Sequence, residues 1–538
     1  MASNSFYSLE DSPGLIPKCA MLSRITSFQT HYTLHSGNHQ LNRSDRKYPL
    51  VILSNRLPGA NDAGGVVKLL ASMSIPQTVI WAGPGAVVPD EKWSPELPPQ
   101  IRSYRDQFLL VQYPVPATLK QAHYSIIANG VLWAALHGLE QQFNENIETL
   151  FGQTNPESQF SEAFAKYWQF NEIATKVVDR WIEPGGIVWC IDYQMVGVRS
   201  TIAGTRIMYS NCTPIPEVKR LSQMYVGSKT LLELPDFKKW IAQLCQYHLV
   251  ALQRFHDLEN LLAIGLKLDS TLKKIDLSKN IYYAFGNRVR LVDIPLGQNV
   301  KSLRTEANVA KTKYDQGRLS QTVKDLIDRH LIHQACSQKN LALVSRNDYT
   351  KGIRETIAAV NAYFQMYSGD VKFLFILQPA RTQVVGYEKY RQMVDREMET
   401  LRATWAEKVV YVNQGIPHDE LMLLLRNYID FVLIMATHTD GHNLIAPEML
   451  KVSPRNSRKG VIAVEGAGMT DYIGFENIFL CQDLSNANAT AAVFAEAINM
   501  PGEQLIARFN RMQRKSLRIN DRTYFNAHVN ALLEGVVL

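Results

Sequence analysis

Leu341-Ala-Leu-Val-Ser345 runs directly into Arg346-Asn347-Asp348-Tyr349-Thr350-Lys351-Gly352, and Ile353–Met366 follows with helix-compatible spacing. The first run is short, continuous and apolar, as in a strand buried on both faces. The second is a polar turn, and Gly352 permits a tight entry into the helix. A buried strand that ends in a polar loop and then a helix is the repeating unit of an α/β domain. Working outward, the same order recurs. Tyr48-Pro-Leu-Val-Ile-Leu-Ser54 leads through Asn55-Arg56 and the glycine-bearing stretch Gly59–Gly65 into Val66–Met73. Thr78–Trp81 ends at Gly83-Pro84-Gly85. Ile187–Asp192, Val289–Ile294, Val371–Leu377, Phe431–Ala436 and Gly460–Val464 supply further strand candidates. Ligands of open α/β sheets bind beyond the carboxyl ends of such strands, which directs attention to the loops that follow them.

A chain of 538 residues is too long for one ordinary core. The restart of the pattern near Leu341 divides it into an extension at 1–47, a first Rossmann-like domain at 48–295 and a second at 296–505. Helices at 506–538 are expected to return to the first domain. Charged residues make up 20% of the chain and the net charge is only +7. With no basic arm or nucleic-acid motif, this favours small phosphorylated ligands over nucleic acid. The six cysteines (Cys19, Cys190, Cys212, Cys245, Cys336 and Cys481) are scattered singly, which fits reduced thiols better than a zinc ribbon or a disulfide framework. No signal core or membrane-length apolar run is evident, so the expected setting is cytoplasmic, without a membrane partner. A homo-oligomer is compatible with this composition.

Three loops carry candidate chemistry. Arg346 and Lys351 share one loop at a helix entry, where an arginine fork, a mobile ammonium and free backbone amides suit adjacent phosphates. The alternative is a solvated turn with a local Asp348 ion pair. In His438-Thr439-Asp440-Gly441-His442-Asn443, Asp440 could accept from sugar hydroxyls and Gly441 could bring backbone donors close, with Glu448 downstream toward a ribose. The alternative there is helix capping by Asp440 or Asn443 and a surface Glu448. The His-x-Asp-x-His spacing lacks a full ligand set, so no metal is expected. Ser54-Asn55-Arg56 with Ala63-Gly64-Gly65 forms a third, weaker anion site.

Taken in order, these segments resemble the trehalose-6-phosphate synthase family of retaining glycosyltransferases with the GT-B architecture of two Rossmann-like domains facing a central cleft. The resemblance spans roughly residues 48–538 and also includes Val131-Leu132-Trp133, Asp192-Tyr193, Asp440–Glu448 and Glu465-Gly466-Ala467-Gly468. It implies donor-diphosphate contacts from Gly65, Arg346 and Lys351. It implies donor-sugar contacts from Asp440 and the His442-Asn443-Leu444 backbone, with Glu448 at the ribose. Arg56, Tyr124, Trp133 and Arg381 resemble the acceptor-phosphate pocket, and Asp192 the carboxylate that orients the acceptor. Asp192, Arg346, Lys351 and Asp440 are thus the catalytic candidates.

The family pattern breaks at Ile191, Gln194, Pro84, Thr439 and Pro447, and an expected histidine falls near Ser210. The phosphate-binding set is better kept than the sugar-facing set. The resulting expectation is retaining transfer of a sugar, or a sugar-like cyclitol, from a nucleotide-activated donor to a phosphorylated acceptor, with no cofactor. Ordinary trehalose-6-phosphate synthesis, a pseudo-glycosyltransferase joining cyclitols through a C–N link, and a non-catalytic sugar-phosphate regulator are the alternatives. The family mechanism is front-face transfer, in which a donor phosphate oxygen takes the acceptor proton.

Overall fold

The computed structural model describes residues 47–59, 65–73, 75, 78–331, 338–381, 384 and 386–535. The extension 1–46 and the Ala63-Gly64 part of the glycine-bearing stretch lie outside them. Within the described residues the chain builds one ten-stranded and one six-stranded sheet, besides a two-stranded hairpin. At the centre of the larger sheet, Tyr48–Leu53 pairs in parallel with Ile182–Ile191 on one side and Val79–Val88 on the other. Arg206–Ser210, Leu249–Leu252 and Asn287–Asp293 continue the parallel order on the first side, and Phe108–Pro116 on the second. Antiparallel strands Lys273–Asp276, Ile281–Ala284 and Gln100–Tyr104 finish the edges. In the second sheet Lys339–Arg346 is central, between Val371–Gln378 and Phe431–Ile434, and every pairing is parallel. Helices cover both sheets, which is why runs such as Val51-Ile52-Leu53 and Phe373-Leu374-Phe375 are buried on both faces.

In each sheet the chain leaves the central strand on one side and later returns to the other. That reversal opens a crevice at the carboxyl end of the central strand. Asn55-Arg56 and Asp192 rim the crevice of the first sheet; Arg346 and the loop Thr437–Asn443 rim that of the second.

Gln121–Leu132 winds as a π-helix, closed by bonds such as Trp133 N–H to Ala128 O. Tyr124, Asn129 and Trp133 all line the cleft, and their spacing of five and then four residues follows the wider turn instead of a 3.6-residue period. Over the last segment the structure departs from the expected division. Helix Gly502–Arg518 stays with the second domain, where Leu505, Phe509 and Met512 join its core. Only Asp521–Gly535 crosses back, burying Tyr524 and Leu532 against the first sheet. There Arg290 Nη1 donates to Ala531 O at 2.6 Å.

Candidate active site in the interdomain cleft

The facing carboxyl ends enclose a cavity of about 1260 Å³. Among the residues read as candidates in the sequence, Arg56, Gly65, Tyr124, Trp133, Asp192, Arg346, Lys351, Arg381, Asp440, His442, Asn443, Leu444 and Glu448 line it, whereas Gly441 does not.

On the second-domain wall the organising group is Asp348, fully buried behind the cationic loop. Its Oδ2 lies 3.5 Å from Arg346 Nη2 and 3.9 Å from Arg381 Nη1, and Tyr387 donates to it at 3.2 Å. Its Oδ1 accepts from Thr350 N at 3.1 Å, Thr350 Oγ1 at 3.0 Å and Trp133 Nε1 at 3.4 Å. Burial alone would protonate this carboxyl, but the charges of Arg346, Arg381 and Lys351 outweigh it and hold it well below the usual carboxylate range. The ion pair read in the sequence as a solvated turn is therefore the buried anchor of two guanidiniums. Both lie over the Trp133 ring, Arg381 at 3.7 Å and Arg346 at 5.2 Å from its centre.

Lys351 Nζ donates to Asp440 Oδ2 at 2.7 Å, and Asp440 Oδ1 accepts from Gly441 N at 3.0 Å. Burial again opposes ionisation of Asp440, and Lys351 and His137 override it. His442 is held neutral by burial, its value down at about 3, and its Nδ1 has no hydrogen-bond partner among the described residues. Asn443 Oδ1 accepts from Ile445 N at 3.0 Å, one residue outside the Leu444 N-cap of helix Ile445–Val452. Glu448 is buried, not a surface residue.

On the first-domain wall, Arg56 Nη2 donates to Tyr124 OH at 2.7 Å, and Lys120 Nζ donates to Asn55 Oδ1 at 3.2 Å. Burial, reinforced by the Arg56 charge, pushes Lys120 down to about 8. Asp192 has φ 70° and ψ 166°, a region that side chains avoid. It is held there by its own N–H on Ser210 O at 2.8 Å and by Thr213 Oγ1 donating to Oδ1 at 2.9 Å. Burial pushes its carboxyl upward against those bonds. Strain stored at a cleft carboxylate is a mark of a functional position.

The walls meet directly. A Cβ on Gly65 would lie 2.5 Å from Leu444 Cδ1. Arg254, from the first domain, pairs with Asp471 at 2.9 Å and donates to Thr439 Oγ1 at 3.2 Å. A first-domain guanidinium thus occupies the surroundings of Thr439, where the family pattern has arginine in the chain itself. Ser210 stands near the position where the resemblance expects a histidine. It is buried behind the wall, accepting from Trp189 Nε1 at 2.7 Å and donating to His528 Nε2 at 2.8 Å, while Cys212 and Thr213 form the cleft surface. Pro84 sits within Val79–Val88 opposite Tyr113. Sequence reasoning also missed Glu306 and His418, which line the cavity and whose partners lie far away in the chain. Among the described residues, no group of three or more His, Cys, Asp or Glu side chains is arranged to hold a metal ion, and no helix is long and apolar enough to cross a membrane.

Residues 40–532 match glycosyltransferase family 20. The chain belongs to that family. This glycosyltransferase is 24% identical over 508 residues to the bifunctional trehalose-6-phosphate synthase/phosphatase of Thermoproteus tenax, covering 88% of this chain and 61% of that protein. It is 24% identical over 490 residues to the trehalose-6-phosphate synthase of Cronobacter sakazakii, covering 86% and 90%. Its fold is that of the α,α-trehalose-phosphate synthase (UDP-forming) of Burkholderia xenovorans solved with glucose-6-phosphate, with a TM-score of 0.74 at 19% identity over 90% of this chain and all of that one. The fold is therefore GT-B and the chemistry glycosyl transfer. The relatives carry sugar-phosphate names, and none supports the cyclitol option that the expectation held beside a sugar donor.

Proposed function

We propose that this glycosyltransferase moves a sugar, with retention, from a nucleoside-diphosphate donor to a sugar phosphate, the type of reaction for which its trehalose-6-phosphate synthase relatives are named. The observation that carries the reading is one cleft lined by cations from both domains with carboxylates among them. Arg346, Lys351 and Arg381 line it from the second domain and Arg56 with Tyr124 from the first, with Asp440 and Asp192 also in the lining.

In this reading Arg346 and Lys351 take the charge that grows on the diphosphate as the donor C1–O bond breaks. Asp440, His442 and the backbone of Asn443-Leu444 hold the donor sugar; the unpaired, neutral His442 Nδ1 suits a hydroxyl. Glu448 takes the ribose. Arg56, Tyr124 and Arg381 hold the acceptor phosphate, with Trp133 as the pocket wall, and Asp192 orients the acceptor hydroxyl. That hydroxyl's oxygen bonds to C1 on the face the diphosphate leaves, and its proton passes to a phosphate oxygen of the departing group. Asp192 and Asp440 position substrates without forming a covalent link.

A panel of UDP-, ADP- and GDP-glucose against phosphorylated and free hexoses, with the anomeric configuration of the product read by NMR, tests this. Nucleoside diphosphate release tied to a retained glycosidic phosphate product is expected, with Lys351→Ala lowering kcat/KM by about 100- to 1000-fold. Saturable binding of both ligands without product would leave a sugar-phosphate binding protein instead.

A further inference from the structure

At the nucleotide end of the cleft, an imidazole lies between two carboxylates. His418 opens the helix His418–Asn427. Its Nδ1–H donates to Glu306 Oε2 at 2.6 Å and its Nε2–H to Glu448 Oε1 at 3.2 Å. Only the doubly protonated ring can donate from both nitrogens. Lys68 Nζ reaches the same Glu306 oxygen at 3.0 Å, from the helix Gly65–Ser72 that follows the glycine-bearing loop. Gln298 Nε2 donates to the same Glu448 oxygen at 3.1 Å, and Lys451 Nζ steadies Gln298 Oε1 at 3.1 Å. A continuous chain of charge-assisted contacts therefore runs from the first domain, through Glu306 and His418, to the carboxylate on helix Ile445–Val452.

We propose that His418 is the positioning residue for nucleotide recognition: its charged ring fixes one oxygen of Glu448 so that the other is presented to the ribose diol of the donor. The assignment rests on the donor reading above. A ring held on one side only would leave that Glu448 oxygen to Gln298, a neutral donor, and a neutral ring would leave two carboxylates facing one another across it. Burial works against protonation of His418, but Glu448 and Glu306 outweigh it and raise the ring to about 9. The titratable groups around it are Glu448 and Lys451 on one helix, the lysine pushed down to about 7 by burial, Glu306 on Val300–Asp315, Lys68 on Gly65–Ser72, and Asp419 on its own helix. Asp419 is already paired with Lys313 at 2.6 Å. Because the folded value lies above the ordinary 6.5, the stabilisation from this contact is complete below about 6.5 and is lost as pH rises through about 9.

The test is calorimetric binding of UDP, ADP and GDP and of their 2′-deoxy counterparts, from pH 7 to 10, to the wild type, His418→Gln and His418→Arg. Using the ratio of ribo to deoxy affinity removes effects on the diphosphate contacts, which both series share. For the nucleotide bound best, the ratio is expected to fall about tenfold in wild type between pH 7.5 and 10. It should be low at every pH in His418→Gln, and be restored without pH dependence in His418→Arg. A wild-type ratio that is flat with pH and kept in His418→Gln overturns the assignment while leaving the donor reading intact. Failure of all three diphosphates to bind the wild type overturns the donor reading itself and the role of His418 with it.

Discussion

On the second-domain wall of the cleft, Arg346 and Lys351 each have a buried carboxylate in reach, Asp348 at 3.5 Å and Asp440 at 2.7 Å. On the first-domain wall, the exposed Arg56 turns to a phenol, while Lys120, outside the cavity lining, turns to the amide of Asn55; among the described residues neither pairs with a carboxylate. The comparison separates two ways of preparing an anion site. A pre-paired cation is held at low cost and in fixed geometry, but an incoming phosphate must compete with its partner. An unpaired, exposed cation such as Arg56 is held by solvent until the ligand's charge arrives, and binding there displaces no carboxylate. Arg381 belongs to the first arrangement, so in the proposed reading the acceptor phosphate meets one pre-paired guanidinium, Arg381, and one unpaired, Arg56.

The largest effect should come from the anchor of the pre-paired wall. Asp348→Asn keeps the shape but leaves Arg346 and Arg381 without their shared carboxylate, and should lower the unfolding free energy by about 3 kcal/mol. Denaturant unfolding followed by tryptophan fluorescence measures it, and a loss below about 1 kcal/mol would show that Tyr387 and solvent satisfy those cations unaided.

The unpaired wall should respond with the opposite sign. Lys120→Met removes an uncompensated charge and is expected to stabilise the free protein at pH 7 by about 2 kcal/mol. Lys120 sits at about 8 against its ordinary 10.5, so between those values the unfolded chain holds the extra proton and wild-type stability rises with pH. The variant's advantage should therefore shrink across that interval and vanish above it. A constant difference from pH 7 to 11 would mean that packing, not charge, sets the change.

The smallest effect sharpens the comparison at the strained carboxylate. Asp192→Gly relieves the φ of 70° and should stabilise the fold by about 1 kcal/mol while abolishing acceptor use. Unfolding and turnover measured on the same preparation give both numbers. Loss of stability together with activity would show that the bonds from Thr213 and Cys212 outweigh the backbone strain.

What the sequence disclosed and what it hid follow one physical division. Strands buried on both faces, such as Lys339–Arg346 and Gly460–Val464, stand out as apolar runs, and the polar loops after them are where the cleft residues lie. Edge strand Gln100–Tyr104 is largely exposed, so no apolar run marks it. The π-helix breaks the period by which a helix face is recognised, which hides the common direction of Tyr124, Asn129 and Trp133. Ser210 and Cys212 are two residues apart, yet one backs the sheet and the other lines the cleft, because the strand ends between them. His418 and Glu306 are 112 residues apart and meet only because two helices pack, a contact with no local signal.

The central claim is that the unpaired Arg56 of the first domain awaits the phosphate of the acceptor. The direct measurement is kcat/KM for a hexose 6-phosphate and for the same free hexose, with wild type and with Arg56→Ala, at saturating donor. A charged hydrogen bond of this kind is worth about 1.5–3 kcal/mol, so the wild type should prefer the phosphorylated acceptor by at least tenfold, and Arg56→Ala should lose roughly that factor on the phosphorylated acceptor alone. Equal use of both acceptors by the wild type, unchanged by the substitution, would contradict the account.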